Sequence, residues 1–580
     1  MSKDRLNATA DVDAQLAPRH HESHVQGVTG DPLSEATVSA FLASIVARYP
    51  HEEAVVFREH GVRWTWRQFA AEVDGLARGL AALGLKKGDR LGIWSPNRPE
   101  WVVTQFATAR LGIILVNINP AYQLTELEYA LNKVSCRAII SAERFKTSNY
   151  LGMLEQLAPE LASAVPGSLQ AARLPHLEIV IRLGEAASPG MLNYRSVIER
   201  GVDGPALAEL DTISAGLHCH EPINIQFTSG TTGHPKGATL THHNVVNNAR
   251  YIAFAMRMTQ QDRLCIPVPL YHCFGMVIGV LVCVATGAKM VFPGEGFDPL
   301  ATLEATAKER CTALHGVPTM FIAELGHAQF AQFDLSSLRT GVMAGSPCPI
   351  ETMKRVVSQM HMQEVTICYG MTETSPVSFQ SSTTDPLDKR VTTVGRVHPH
   401  LEVKIIDGNG ATVPVGQSGE LCTRGYSVMQ GYWADPQRTA ESVIDGWMHT
   451  GDLATLDEEG YCNIVGRVKD MVIRGGENVY PREIEEFLFT HPLVESVQVF
   501  GVPDSKYGEE LAAWVILKPG CSTTEEEIRE FCRGKIAHYK VPRYVRFVKE
   551  LPMTVTGKAQ KFVMRDAMIR DLGLHIEKTA

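Results

Sequence analysis

Residues 227–237, FTSGTTGHPKG, concentrate the side chains and the flexible backbone that bind phosphate groups. Glycines let backbone N–H groups fold around an anion, and the hydroxyls and Lys236 add donors and a positive charge. The Walker pattern G-x-x-x-x-G-K-[ST] places its lysine directly after the second glycine, whereas Lys236 precedes Gly237. The segment therefore predicts a polyphosphate site that is not an ordinary P-loop. A surface loop with a solvated lysine is the alternative interpretation.

A second chemical cluster is YGMTETSP at 369–376. Tyr369 offers a flat face for a base, and Glu373 offers a carboxylate for Mg²⁺, which shields triphosphate charge. Strand-like runs end directly before the phosphate loop, before Gly345 and before this cluster; they span 223–227, 341–344 and 365–368. In open α/β sheets, ligands bind beyond the carboxyl ends of the strands. We therefore expect one site built from all three loops.

Length and composition indicate a large globular protein. The chain has 580 residues, 44% hydrophobic residues and a net charge of −9, and this length suits about three or four folding units. The charge gives no reason to expect nucleic acid as a partner. The longest apolar run, 276–288, is shorter than the roughly 20 residues that a bilayer requires, so it predicts a buried helix and no transmembrane segment.

The first residues, MSKDRLNATADVDAQ, indicate neither a secretion signal nor a transit peptide, because they contain no apolar core. We therefore expect a cytoplasmic protein. Both a monomer and a homo-oligomer remain open.

The twelve cysteines are scattered and never form a C-x-x-C pair. This spacing favours reduced, mostly buried thiols over a disulfide framework or a zinc site. His218-Cys219-His220 and the histidines of 20–24 lack the spacing that would close a metal site, so we expect no metal there.

Helical and strand patterns alternate along the chain, which predicts an α/β protein. Helices are expected at 66–85 and 99–110, and strands at 91–94 and 113–117. After about residue 466 the elements become short and closely spaced, which predicts a small C-terminal domain.

Four segments, in order, resemble the signatures of the acyl-adenylate-forming superfamily, which includes acyl-CoA synthetases, luciferases and nonribosomal peptide adenylation domains. They are FTSGTTGHPKG, YGMTETSP, GWMHTGDLATLDEEGYCNIVGRVKDMVIRGGENVYPREIE and LPMTVTGKAQK. The resemblance implies an α/β fold with a large multi-subdomain N-terminal domain and a hinged, small α+β C-terminal domain. We accordingly divide the chain into a flexible extension at 1–34, an ATP- and acyl-binding domain at 35–468 and a mobile domain at 469–580.

The resemblance also implies a two-step reaction, in which a carboxylate and ATP give acyl-AMP and pyrophosphate before a thiol takes the acyl group. Lys558 resembles the catalytic lysine that bridges the carboxylate and the α-phosphate. Asp452 resembles the ribose ligand, with Arg467 beside it. Thr228 would contact the departing pyrophosphate, and Glu373 would hold Mg²⁺. The remaining implied ATP-binding positions are Ser229, Gly230, Thr231, Thr232, Gly233, Lys236, Ala344, Gly345, Tyr369, Gly370 and Thr372.

For the second step, Gly475, Gly476 and Glu477 resemble the segment that lines the pantetheine tunnel in the family. Lys469 falls at the family's hinge position, although a plain surface lysine in a linker is equally open. Because the sequence ends soon after Lys558, we expect free coenzyme A as the acceptor rather than a fused carrier domain.

The segment PLYHCFGM at 269–276 corresponds to the family's pocket entrance, so its residues bear on the identity of the acid substrate. The resemblance places His272 near the carboxylate, while a core histidine is the other interpretation. Cys273 stands where amino-acid-activating relatives place an aspartate, so an uncharged tail is favoured. We expect a medium- to long-chain fatty acid. An aryl-acid CoA ligase, a fatty acyl-AMP ligase and a non-Walker nucleotide-binding protein without ligase activity are the alternatives.

Overall fold

The computed structural model describes residues 15–228, 235–474, 477–504, 506–554 and 557–574. Helices and strands alternate through most of these ranges, which confirms the α/β class. The α-helices are Val38–Arg48, Trp66–Ala82, Pro99–Leu111, Leu124–Lys133, Tyr150–Leu157, Tyr194–Glu199, Leu207–Ala215, His242–Ala255, Val282–Thr286, Pro299–Lys308, Pro318–Leu325, Ile350–Gln359, Leu387–Thr392, Pro436–Ser442, Pro481–Phe489, Glu525–Cys532 and Lys561–Leu572. Short 3-10 turns occur at Pro159–Ala162, Arg200–Asp203, Phe330–Gln332, Thr372–Thr374 and His538–Lys540.

The helix Trp66–Ala82 shows how local sequence sets an element. Its first turn is closed by a capping box, in which Thr65 Oγ1 accepts from the Gln68 N–H and the Gln68 side chain accepts from the Thr65 N–H. Its apolar residues recur at helical spacing and are buried. The sequence therefore predicted this helix to within a few residues at its C-terminal end.

Two large sheets form the body of the chain. The first runs in spatial order Leu192–Asn193, Ile179–Arg182, Ala138–Ser141, Arg90–Trp94, Ile114–Asn117, Pro222–Thr228, Lys236–Thr241 and Gly431–Tyr432. The second runs Arg396–Val397, Val377–Gln380, Glu364–Gly370, Thr340–Met343, Ala313–Leu314, Arg263–Cys265, Lys289–Phe292, Glu53–Phe57 and Val62–Thr65. Most neighbours in their centres are parallel, which requires helical crossovers on the faces.

A third sheet and a smaller fourth sheet follow. The third runs His24–Gln26, Leu401–Ile406, Gly419–Gly425, Trp447–Leu456 and Val443–Ile444, with Cys462–Arg467 also paired to Trp447–Leu456. The fourth runs Glu477–Val479, Val472–Arg474, Gly508–Leu517 and Val494–Asp504, with Tyr544–Phe547 paired to Gly508–Leu517. A hairpin of Arg144–Phe145 and Ser148–Asn149 completes the described strands.

Residues 468–471 connect the third sheet to the fourth, because Cys462–Arg467 belongs to one and Val472–Arg474 to the other. Lys469, the expected hinge residue, is exposed in this connection. The boundary at 468/469 and the mobility of the fourth sheet stay predictions.

Part of the expected flexible extension is a strand. His24–Gln26 pairs antiparallel with Leu401–Ile406, and Val25 is buried. The expectation for 1–34 therefore needs correction at these residues, because strand pairing and side-chain burial hold them to the third sheet.

The apolar run at 276–288 is helical and buried, as predicted, but begins as a π-helix, Phe274–Leu281, before Val282–Thr286 continues as an α-helix. Such π segments occur frequently at functional sites. In the described part of the chain, no helix combines the length and the apolar character needed to cross a membrane. All twelve cysteines are free and all except the half-buried Cys521 are buried, which confirms the reading of reduced thiols.

Candidate active site

The phosphate-loop strand meets the loop that carries the expected magnesium ligand. Thr228 Oγ1 donates to Glu373 Oε1 across 3.0 Å, and the Tyr432 hydroxyl donates to the same oxygen across 2.9 Å. Lys236 Nζ donates to the Tyr432 hydroxyl at 2.8 Å and lies 4.3 Å from the centroid of its ring. Glu373 and Tyr432 are buried. Three sequence-predicted residues, Thr228, Lys236 and Glu373, therefore share one polar network.

Four elements hold this network, and two of them carry Thr228 and Glu373. Thr228 ends the strand Pro222–Thr228, and Glu373 lies in the 3-10 turn Thr372–Thr374 that follows Glu364–Gly370. These two strands belong to different sheets. The ends of two of the three expected strands, Pro222–Thr228 and Glu364–Gly370, therefore come together, although the strands belong to two sheets.

Sequence reasoning missed Tyr432. Its short strand, Gly431–Tyr432, pairs with the strand that contains Lys236, with Ala238 opposite Tyr432. This pairing joins residues far apart in the chain, so no local pattern indicated it.

A second group surrounds Asp452. The Tyr369 hydroxyl donates to Asp452 Oδ2 at 2.6 Å, and Arg467 Nε donates to Oδ1 at 3.1 Å. The register places Asp452 directly opposite Arg467 on neighbouring strands. Burial raises the pKa of Asp452, although Arg467, Tyr369 and Lys558 all oppose the rise by stabilising the carboxylate.

Lys558 reaches this group from the C-terminal part of the chain. Burial lowers its pKa, as does the positive charge of Arg467, while Asp452 and Glu373 act in the opposite direction. One carboxylate from each of the two polar groups thus acts on the charge of Lys558.

The loop that carries Lys558 packs on residues 317–319. Gly557 has φ +76°, and a Cβ at this residue would lie 2.7 Å from Val317 Cγ2 and 3.2 Å from Thr319 Oγ1. Val317 also faces Gly345, where a Cβ would lie 3.1 Å from its Cγ1. No sequence pattern indicated that Val317 lies between these two glycine loops.

His272 lies at the start of the π-helix. Its Nδ1 accepts the Phe274 N–H at 3.1 Å, so the proton of the neutral ring is on Nε2. Burial, followed by the charge of Lys558, lowers the pKa of His272 to about 3. Burial also raises the pKa of the Cys273 thiol to about 12. Both side chains are therefore uncharged near neutral pH.

The other predicted positions differ in their exposure to solvent. Ala344 and Thr372 are buried, whereas Gly370 and Glu477 are exposed. Glu477 begins the strand Glu477–Val479 of the fourth sheet. The predicted positions that lie outside the described residues are Ser229, Gly230, Thr231, Thr232, Gly233, Gly475 and Gly476.

Two groups of side chains bear on metal binding. Glu373 is a buried carboxylate beside the phosphate-loop strand, and its oxygens suit Mg²⁺, which binds through one or two carboxylates and substrate phosphates. Glu420, Cys422 and His449 form the group of three potential ligands found in the described ranges. His449 Nδ1 and Glu420 Oε2 are already 3.0 Å apart, so a hydrogen bond accounts for their proximity.

Two models of protein families match the chain. Residues 42–433 match the model of the AMP-binding enzyme family, and residues 483–558 match that of the AMP-binding enzyme C-terminal domain. The chain is 48% identical to a medium-chain acyl-CoA ligase, mitochondrial ACSF2, of Danio rerio, over 95% of this chain and 91% of the relative.

Two further comparisons extend this result. The chain is 49% identical to the putative acyl-CoA synthetase YngI of Bacillus subtilis (strain 168), over 93% of this chain and 99% of the relative. A solved structure, the anthranilate CoA ligase AuaEII in complex with anthranoyl-AMP, superposes with a TM-score of 0.83 at 27% identity, covering 94% of this chain and 99% of that one.

Proposed function

Because this chain belongs to the AMP-binding enzyme family, in which it is an AMP-forming acid–thiol ligase, we propose that it activates a medium- to long-chain fatty acid for transfer to coenzyme A. It is an ATP-dependent acyl-CoA synthetase, and ATP and coenzyme A are its co-substrates. The chain length of the acid, the roles of individual residues and the use of Mg²⁺ form the proposal.

The observation that supports the adenylation roles best is the position of Lys558. Its loop packs on Val317, and its positive charge acts to lower the pKa of both His272 and Asp452. These two residues belong to different parts of the site. A carboxylate that attacks the α-phosphorus of ATP meets negative charge, so catalysis requires neutralisation and alignment. Lys558 would supply a cation between the acid and the α-phosphate.

The other residues would hold the nucleotide. Asp452 would accept from the two vicinal ribose hydroxyls, while Tyr369 and Ala344 would border the base. Lys236 would exchange its hydrogen bond with Tyr432 for the departing pyrophosphate. Glu373, with its oxygen already oriented by two hydroxyls, would hold Mg²⁺, which shields the triphosphate charge when bound.

The acid pocket is proposed from apolar side chains beside His272. The π-helix Phe274–Leu281 is buried throughout, as are Val317 and Phe321. A neutral His272 Nε2–H could donate to the acid, whereas Cys273 offers no negative charge for an α-amino group. This combination favours an alkyl tail over an amino acid.

For the second step, we propose that the fourth sheet moves about Lys469. Lys558 would act at the adenylation site in the present arrangement, in which Glu477 is exposed. Rotation would then withdraw Lys558 and bring the glycine segment before Glu477 to the acyl-AMP for coenzyme A entry.

The proposal is tested by pyrophosphate release across free carboxylic acids, each with and without coenzyme A. Straight-chain acids of increasing length should improve kcat/KM, because each buried methylene contributes about 0.8 kcal/mol until the pocket ends. A preference for an aromatic acid would favour the aryl-acid alternative, in line with the anthranilate ligase neighbour. Acyl-AMP without acyl-CoA product would contradict the synthetase assignment.

We also propose a cytoplasmic location. The vertebrate relatives carry names that include a mitochondrial location, so fractionation of cells that produce the full chain is the deciding measurement. Enzyme activity in the organelle fraction alone would contradict the proposal.

A further inference from the structure

The strand that carries Asp452 is irregular at that residue. In the pairing of Gly419–Gly425 with Trp447–Leu456, Cys422 lies opposite His449 and Glu420 lies opposite Leu453. Between these pairs, Leu421 alone therefore faces three residues, 450–452. This is a bulge, and bulges beside active sites re-aim side chains. Asp452 leaves the pairing with Gly419–Gly425 here, while on its other side it stays opposite Arg467.

The backbone of the bulge is held by side chains. Glu420 Oε1 accepts the Gly451 N–H at 3.1 Å, and Thr450 Oγ1 accepts the Asp452 N–H at 3.1 Å. The Thr450 hydroxyl also donates to the Leu421 carbonyl at 2.7 Å. The bulge turns at Gly451, whose φ is +69°.

Gly451 also contacts the connection between the third and fourth sheets. Its carbonyl accepts the Val468 N–H at 3.0 Å, and Val468 directly precedes Lys469. Glu420 thus binds the N–H of a residue whose carbonyl, in the next peptide group, binds the start of that connection.

Glu420 is itself anchored. Its second oxygen, Oε2, accepts His449 Nδ1–H at 3.0 Å, and both side chains are about three-quarters buried, with exposed fractions of 27% and 24%. A carboxylate with both oxygens engaged cannot swing away from Gly451 without breaking two hydrogen bonds.

We propose that Glu420 is a positioning residue for nucleotide binding, which holds the bulge so that Asp452 meets the ribose hydroxyls. The inference rests on the proposed role of Asp452. Loss of the Glu420 carboxylate would leave the Gly451 N–H without its acceptor and allow the backbone at Asp452 to shift. Glu420 itself would not contact the nucleotide.

The test compares substitutions of two glutamates in the same sheet. Glu420→Ala removes the clamp, whereas Glu420→Gln keeps an oxygen for Gly451 and offers an N–H to the other tautomer of His449. Glu402→Ala is the matched control, because Glu402 bonds His24 Nε2 at 2.7 Å and Arg424 Nε at 2.9 Å and is not part of the bulge. Glu420→Asp, which is too short for Gly451, replaces Glu420→Ala if the alanine variant melts early.

The deciding readout is the ratio of Kd values for ATP and 2′,3′-dideoxy-ATP. For Glu420→Ala we expect ATP binding to weaken by about 10-fold or more, from an N–H left without its partner, while dideoxy-ATP binding changes little. Glu420→Gln and Glu402→Ala should keep the wild-type ratio.

Asp452→Ala distinguishes a failure of the positioning role of Glu420 from a failure of the proposed ribose role of Asp452. If it abolishes discrimination between the nucleotides but Glu420→Ala weakens both of them equally, Glu420 has only a structural role and the inference fails. If Asp452→Ala retains full discrimination, the proposed ribose role of Asp452 fails first, and the inference falls with it.

Discussion

Lys236 Nζ donates a hydrogen bond of 2.8 Å to the hydroxyl oxygen of Tyr432, and this hydroxyl donates in turn to Glu373 Oε1. Burial lowers the pKa of Lys236, with Glu373 acting against the change. A tyrosine can hold the ammonium without neutralising it. The hydrogen bond therefore keeps the lysine in place before a phosphate arrives.

Tyr432→Phe should raise the KM for ATP several-fold while leaving the thermal melt nearly unchanged. The variant keeps the ring beneath the ammonium but removes two hydrogen bonds, the one from Lys236 and the one to Glu373, each of which contributes about 1 kcal/mol. Steady-state kinetics with ATP as the varied substrate measure the effect. An unchanged KM would mean that the hydroxyl does not orient Lys236 for ATP.

Lys558→Ala should slow acyl-AMP formation by about 10²–10³-fold, since a positioned donor would be lost. Transfer from supplied acyl-AMP to coenzyme A should survive. Gly475→Trp, at a position that resembles the pantetheine tunnel, should have the opposite pattern. Both half-reactions are assayed in both variants after a thermal melt, and equal losses in the two halves would contradict domain alternation.

Adenylation should lose rate as the pH rises through a value below the ordinary pKa of lysine. Burial and Arg467 lower the pKa of Lys558, so its ammonium loses the proton earlier than a free lysine. Lys558→Arg stays charged throughout and should move this alkaline limb to higher pH, even at a lower maximal rate. An alkaline limb at the same pH in both enzymes would assign it to another group.

Gly557→Ala should impair adenylation more than thioester transfer. The new Cβ would lie 2.7 Å from Val317 Cγ2, and φ is +76°, so the loop could not keep its packing. Gly534→Ala is the matched control, because Gly534 has φ +72° with nothing within 4 Å of the added Cβ. If both variants lose the same activity, backbone strain rather than contact with Val317 is responsible.

The sequence predicted the elements with strong periodicity and the residues within motifs. Helix Trp66–Ala82 was predictable because its cap and its apolar spacing are local. The link from Lys236 to Tyr432 was not, because it depends on pairing between distant strands. Asp452 was found through its motif. Its displacement from the pairing with Gly419–Gly425 could not be predicted, because it depends on the register opposite Leu421, which no single segment encodes.

The edge strand His24–Gln26 lies before residue 42, where the family match begins. It covers the outer hydrogen-bonding groups of Leu401–Ile406, which would otherwise form an unpaired sheet edge. Uncovered edges recruit strands from other molecules and promote aggregation. A chain shortened to begin at residue 35 should therefore retain its active-site residues yet self-associate in light-scattering measurements. These few residues would serve solubility, and trimming the enzyme to its family boundaries would remove that protection.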